Sequence, residues 1–308
     1  MRNTVDTVED LLRRPFLKLR SDYAFKRTFC TPEHKEVLRK FLNALFEKEM
    51  VVTDITFHDK EVLPPDKNGK RIVYDAYCTT NTGHHFVVEM QQEQSELFGK
   101  RMVFYVSSCI FRQGEKGGSY KFDPVYLIVV TDFDMRPLEK RIVNEVILME
   151  RNTHIAFTED LRIYFLSLNQ VAENWERCKT DLEKQLFLIK NMENMDKEST
   201  AYKSGEYKEM FKAAEIASMA AEDIVAYRNS IMFEMERQSA LEFAKEEGME
   251  KGIEKGIEEG IKKGKMEGKI EGKIEGKMEV AAEMKKKGMS PGDIMLFTGL
   301  SKEQIDSL

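Results

Sequence analysis

Residues 74–92, YDAYCTTNTGHHFVVEMQQ, read as a β-hairpin around which the rest of the chain is organised. The left arm, Arg71 to Thr80, mixes Ile72, Val73, Tyr74, Tyr77 and Cys78 with β-branched threonines, and the right arm, His85 to Gln91, carries Phe86, Val87 and Val88. Asn81-Thr82-Gly83 between them is turn chemistry, because Gly takes φ > 0 freely and Asn tolerates it. A turn centred on Thr82 sets Asp75 opposite Glu89. The strand period of two then puts Glu89 and Gln91 on one face and Phe86, Val88 and Met90 on the other. Opposed residues have Cβ atoms roughly 4.5–5.5 Å apart, where like charges destabilise a sheet. A divalent cation is the simplest physical reason to gather two carboxylates and an amide there, since Mg²⁺ takes oxygen ligands, commonly one or two carboxylates plus waters and phosphate. The alternative is a pair of strand carboxylates that simply face water.

Ahead of the hairpin, residues 16–29, FLKLRSDYAFKRTF, form an aromatic-rich segment in which Asp22 is placed to cap a short helix carrying Phe25 and Phe29 at i,i+4 spacing. Asp22 serves there as a cap or reaches a nearby metal. Thr31-Pro32-Glu33 predicts the start of a second helix, with Val37, Leu38, Phe41, Leu42, Leu45 and Phe46 as its apolar stripe. Val51 to Leu63 reads as a strand, ended by Pro64-Pro65 and an Asn68-Gly69 turn. Beyond the hairpin, Ser95 to Phe111 has helical spacing, and Arg101 and Tyr105, one turn apart, share a face. Gly114, Gly117 and Gly118 predict a flexible loop. Pro124 to Thr131 is a near-continuous apolar run, as in a strand buried on both faces. Ile142 to Met149 and Leu161 to Leu168 predict two more strands. A sheet flanked by helices is the natural solution, because each apolar face needs a cover. From Asn169 the chain turns to helix formers: Trp175, Leu182, Leu186, Phe187 and Ile189 mark one helix, and Met210 to Glu247 one or two more.

From Gly248 to Gly276 glycine recurs at every fourth position, eight times. Each glycine costs a helix about 0.8–1 kcal/mol against alanine, while a Glu–Lys pair such as Glu247–Lys251 returns only about 0.2–0.5 kcal/mol. A four-residue stripe also rotates roughly 40° per repeat on a straight helix. The apolar line Met249, Ile253, Ile257, Ile261 then slips by one residue to Met266, Ile270, Ile274, Met278. The segment is a long, solvated, marginal helix that self-associates, or a flexible spacer. After it, Gly288 ends a helix, Ser290-Pro291 starts another, Gly299 turns, and Ser301-Lys302-Glu303-Gln304 reads as a capping box. This small helix-turn-helix-like end suits DNA or a partner helix.

The chain of 308 residues has room for one large domain with an appendage, or for two. With 33% charged residues and a formal net charge of −6, a bulk basic coat is excluded but a local basic groove is not. Four scattered cysteines without a CxxC pair predict neither a zinc site nor a disulfide framework, and so a reducing cytoplasm. The start, MRNTVDTVEDLLRRPF, has no apolar signal-peptide core, and no apolar run reaches the roughly 18 residues of a membrane span.

Taken in order, SDYAFKRTF, YDAYC, FVVEMQQ, KRMVFYVS and PVYLIVV resemble the PD-(D/E)XK nuclease superfamily, and more closely its Rpn-type branch of bacterial recombination-promoting nucleases and transposase-like proteins. The resemblance covers roughly residues 15–235, and the glycine repeat with its TGLS ending is typical of such proteins. It implies an α/β, restriction-endonuclease-like core, a mixed central sheet flanked by helices, followed by a helical region and a long helical tail. With the composition shift after residue 169 and the repeat, the expected domains are 1–170 (nuclease-like core), 171–247 (helical region packing on the core), 248–280 (repeat, helix or linker) and 281–308 (helix-turn-helix-like tail). Asp75 and Glu89 match the metal-binding carboxylates. Asp22 matches an acidic position that completes the site, and Arg101 and Tyr105 match polar positions suited to phosphate. Gln91 stands where the wider superfamily usually has Lys, and Gln can orient water only by hydrogen bonding. The implied activity is Mg²⁺- or Mn²⁺-dependent hydrolysis of DNA, linked to recombination or mobile elements. The alternative is a nuclease-like module of weak or no activity that uses residues 248–308 for homo-oligomerisation or partner recruitment.

Overall fold

The computed structural model describes residues 7–47, 49–62, 71–114 and 121–308, so the Pro64-Pro65 and Asn68-Gly69 breaks and Gly117-Gly118 lie outside the described residues. The chain divides into two compact units, residues 1–235 and 236–308. The first opens with helices α1 (Val8–Leu12), α2 (Asp22–Phe29) and α3 (Lys35–Leu45). Strands β1 (Ile55–Phe57), β2 (Glu61–Val62), β3 (Ile72–Val73), β4 (Ala76–Thr80) and β5 (His85–Gln91) follow. Helix α4 (Phe98–Arg112) leads to β6 (Val125–Thr131), β7 (Val143–Met149) and β8 (Ala156–Ser167). Helices α5 (Asp181–Asn191), α6 (Thr200–Lys203) and α7 (Lys208–Ala214) precede α8 (Ala221–Lys286), which enters the second unit, and α9 (Pro291–Thr298) and α10 (Lys302–Asp306) end the chain.

Six strands form a mixed sheet in the order β1-β4-β5-β6-β8-β7, with β5, β6 and β8 mutually parallel and the outer pairings antiparallel. This is the expected α/β architecture of a sheet covered on both faces. On one face Phe98, Met102, Val106 and Cys109, spaced as one side of α4, pack on Val87, Val125, Leu127 and Val129. On the other, Phe86, Val88, Met90, Tyr126, Ile128 and Val130 meet the apolar sides of α2, α3, α5 and α7. The β6 run is buried along its whole length, as its unbroken apolar sequence predicts.

The structure corrects several boundaries. Ser21, not Asp22, caps α2: its hydroxyl accepts the Ala24 N–H, which leaves the Asp22 carboxylate free to turn elsewhere. Thr31-Pro32 opens only a 3₁₀ turn, Pro32–His34, before α3. The expected strand from Val51 to Leu63 splits into β1 and β2 in different sheets. Asn43 satisfies both backbone groups of Val52, and the Asn81 side-chain oxygen takes the Thr53 and Asp54 N–H groups, so those residues need no strand partner. The left hairpin arm likewise breaks after Val73, where Tyr74 N–H turns to the Lys60 carbonyl and β3 pairs with β2. β8 begins earlier than expected, at Ala156, and Trp175 sits in its own 3₁₀ turn, apart from α5.

In the second unit the glycine repeat is helical throughout. Beyond it, Gly288 and Gly299 adopt φ of 81° and 67°, where glycine escapes the Cβ clash, and the Ser301–Gln304 capping box forms both of its bonds. Ala281, Ile294, Leu300 and Ile305 make a small core of their own. Among the described residues no helix is long and apolar enough to cross a membrane.

Candidate active site

The hairpin pairs Ala76 with Val88 and Cys78 with Phe86. That register, continued one step, sets Asp75 against Glu89. By alternation Glu89 and Gln91 lie on the α4 face with Val87, while Phe86, Val88 and Met90 enter the opposite core. Asp75 sits in the bend between β3 and β4, where the regular ladder has ended. Side chains take over its hydrogen bonds: Met90 N–H donates to Asp75 Oδ2 at 2.8 Å, and Asp75 N–H donates to Glu89 Oε1 at 3.1 Å. The fold therefore fixes each carboxylate by one backbone N–H of the other's neighbourhood, and both residues are buried, at 7% and 2% exposure.

The cations come from helices on both faces. From α4, Arg101 donates through Nη2 to Gln91 Oε1, and Gln91 Nε2 donates to Glu89 Oε2 at 3.2 Å. From α2, Lys26 Nζ lies 3.2 Å from Asp75 Oδ1 and 2.6 Å from Asp22 Oδ1. The structure thus gathers Asp75, Glu89, Gln91 and Arg101 directly, whereas Asp22, its side chain 65% exposed, is tied to Asp75 through Lys26. Tyr105 is half-buried one turn beyond Arg101, its ring edge-on to Tyr74 at 5.4 Å between centroids and its carbonyl accepting the Tyr74 hydroxyl. Lys26 is the one member of the cluster that sequence reasoning does not reach. Its only local signal is an i,i+4 spacing from Asp22 on one short helix.

Helix α2 is held firmly. Arg27 Nη1 meets Asp223 Oδ2 at 2.7 Å, and Tyr23 donates to Asp223 Oδ1 at 2.8 Å, both at the start of α8. Arg20, just ahead of the helix, bridges Asp132 at the end of β6 and Glu193, each at 2.9 Å. Gln92, next after β5, donates to the Arg20 carbonyl at 2.7 Å.

Burial pushes the Glu89 carboxyl well above its usual range, and the charge of Asp75 adds to it. Burial also raises Asp75, against the opposing pull of Lys26. Lys26 is driven the other way: burial disfavours its charge, but Asp75 and Asp22 more than offset that and hold it firmly protonated. Burial, then the Glu89 charge, raises the Tyr105 hydroxyl. Burial thus pushes both carboxylates toward protonation, and the Lys26 ammonium stands against one of them, Asp75. Among the described residues no group of three or more Asp, Glu, His or Cys side chains is placed to hold a metal. Two buried carboxylates suit a hard cation that completes its shell with water and phosphate, as Mg²⁺ does.

Compared with known protein families, residues 19–244 match the family described as PD-(D/E)XK nuclease family transposase. No curated protein and no solved structure matches the chain.

Proposed function

The chain belongs to the PD-(D/E)XK nuclease family transposases, a membership that supports a nuclease or mobile-element role, and from that premise we propose that it is a divalent-cation-dependent DNA endonuclease. The observation that carries this reading is the shared burial of Asp75 and Glu89 on adjoining segments of the hairpin, which raises both carboxyls and which a bound cation would relieve. Asp75 and Glu89 would hold Mg²⁺ or Mn²⁺, with Asp22 as an outer contributor. When bound, the ion supplies an activated water and charge stabilisation at the scissile phosphate. Gln91, fixed between Glu89 and Arg101, orients the attacking water by hydrogen bonding rather than by charge. Arg101 and Tyr105 face the phosphate backbone from α4. The test is cleavage of supercoiled plasmid across Mg²⁺, Mn²⁺ and Ca²⁺. Nicked or linear product with Mg²⁺ or Mn²⁺ and none with chelator is expected; no product with any cation overturns the reading.

Arg101 has its own consequence. Arg101→Gln should weaken DNA binding, measured by anisotropy in Ca²⁺, by about five- to tenfold, and should lower the salt slope by about one, as for the loss of one phosphate contact. An unchanged slope would remove Arg101 from the interface.

The second unit favours an additional role. Its helix exposes the line Met249, Ile253, Ile257 and Ile261, and nothing lies within 4 Å of a Cβ added at any repeat glycine. We propose that a second copy packs along this face. Gly256→Ala and Gly260→Ala in the full chain separate the cases. In an isolated helix each stabilises by about 1 kcal/mol, whereas at a close helix–helix contact each weakens self-association. Sedimentation showing a monomer for wild type and variants alike counts against assembly.

A further inference from the structure

Lys26 is the ammonium placed against Asp75, on the carboxylate oxygen best placed to take a cation. Its Nζ is 3.2 Å from Asp75 Oδ1 and 2.6 Å from Asp22 Oδ1, distances of direct ion pairs. The other Asp75 oxygen is committed to the Met90 N–H, so Oδ1 is the oxygen with most to offer and Lys26 already uses it. The helix beneath Lys26 is tied down at both ends: Arg27 and Tyr23 bond to Asp223, and Arg20 ties its lead-in to Asp132 and Glu193. The four-carbon stem can shift: the Lys26 side chain keeps 31% of its surface exposed, and Asp22, more exposed still, offers it a resting place away from Asp75.

We propose that Lys26 is a built-in counter-cation that occupies the Asp75 side of the site and must swing toward Asp22 before a divalent cation can load. It is a positioning residue: it balances the buried Asp75 carboxylate in the cation-free protein and sets the cation concentration at which the site fills. This rests on the metal reading above, and the experiment distinguishes the two.

Ca²⁺ binding is measured calorimetrically at pH 8 on the full-length wild type, Lys26→Met and Lys26→Arg. Removing one positive charge at such close range should tighten Ca²⁺ binding by at least about tenfold in Lys26→Met, while Lys26→Arg, which keeps the charge, should stay near wild type. Equal affinity in all three, or weaker binding to Lys26→Met, overturns the counter-cation role and leaves the metal site standing. Tightening by both variants alike marks a packing effect and also overturns it. Binding to none of the three overturns both readings. Should Lys26→Met fail to fold, acylation of wild-type lysines followed by mass spectrometry decides the matter. Saturating Ca²⁺ should raise Lys26 labelling several-fold while leaving the exposed Lys140 unaffected, and unchanged or lower Lys26 labelling overturns the proposal.

Discussion

Asp75→Asn should lose cation-dependent cleavage of plasmid DNA by at least about a hundredfold, since even a residue that merely orients a metal ligand is worth about 10–100-fold. The substitution keeps size and shape. The amide oxygen of the introduced asparagine can still accept the Met90 N–H, which is the contact that closes the end of the hairpin. What the change removes is the charge that Lys26 balances and that a cation needs. The variant should therefore fold, elute as the wild type does and still bind DNA in Ca²⁺, through Arg101 and neighbouring groups. Cleavage at the wild-type rate by a folded Asp75→Asn protein would place the chemistry elsewhere.

Glu89→Gln should do something less usual: abolish cleavage while making the cation-free protein more stable at pH 8, by about 1–3 kcal/mol, the penalty scale of a buried polar group poorly compensated. The sign follows from the direction of the shift. Burial and the Asp75 charge hold the folded-state Glu89 carboxyl above its value in the unfolded chain, which is about 4.3. The folded protein thus binds that proton more tightly. Stability is greatest below the unfolded value and declines as pH rises from there through the raised folded one. Glutamine removes the decline. Its carbonyl can accept the Asp75 N–H in place of Glu89 Oε1, and the one bond given up is the donation from Gln91 Nε2, whose amide stays oriented by Arg101 on Oε1. Thermal unfolding in chelator should show the variant melting several degrees above wild type at pH 8, with the gap closing toward pH 4. Parallel pH profiles, or a lower melting point at pH 8, would mean that Glu89 is not strained in the fold. With saturating Mg²⁺ the order should reverse, because only the wild type gains from binding.

Much of this site is legible in the sequence because local rules suffice. The Asn-Thr-Gly turn fixes the register, and the register fixes which residues oppose Glu89. The face shared by Glu89 and Gln91 follows from the strand period alone, and the apolar run of β6 identifies the buried centre of the sheet. What is not legible depends on chain segments far apart. The left arm breaks after Val73 because Tyr74 bonds to Lys60, and the strand before it is cut short by Asn43 and Asn81. These are long-range bonds to the backbone that no propensity predicts. Lys26 is hidden for a related reason. Asp22 and Lys26 advertise a surface i,i+4 pair, and only the docking of α2 beside the bend turns that pair toward Asp75. The α2 cap falls one position ahead of the expected Asp22 because Ser21 and Asp22 are both good caps, and the choice between them is made by the partner that each finds.

On this reading Asp75 and Glu89 share one divalent cation. Crystals of the full chain soaked in Mn²⁺, measured at the manganese edge, test it directly. Anomalous density between the two carboxylates, with Lys26 Nζ withdrawn from Asp75 Oδ1, is the predicted result. Density only elsewhere, with Lys26 still against Asp75, would contradict it.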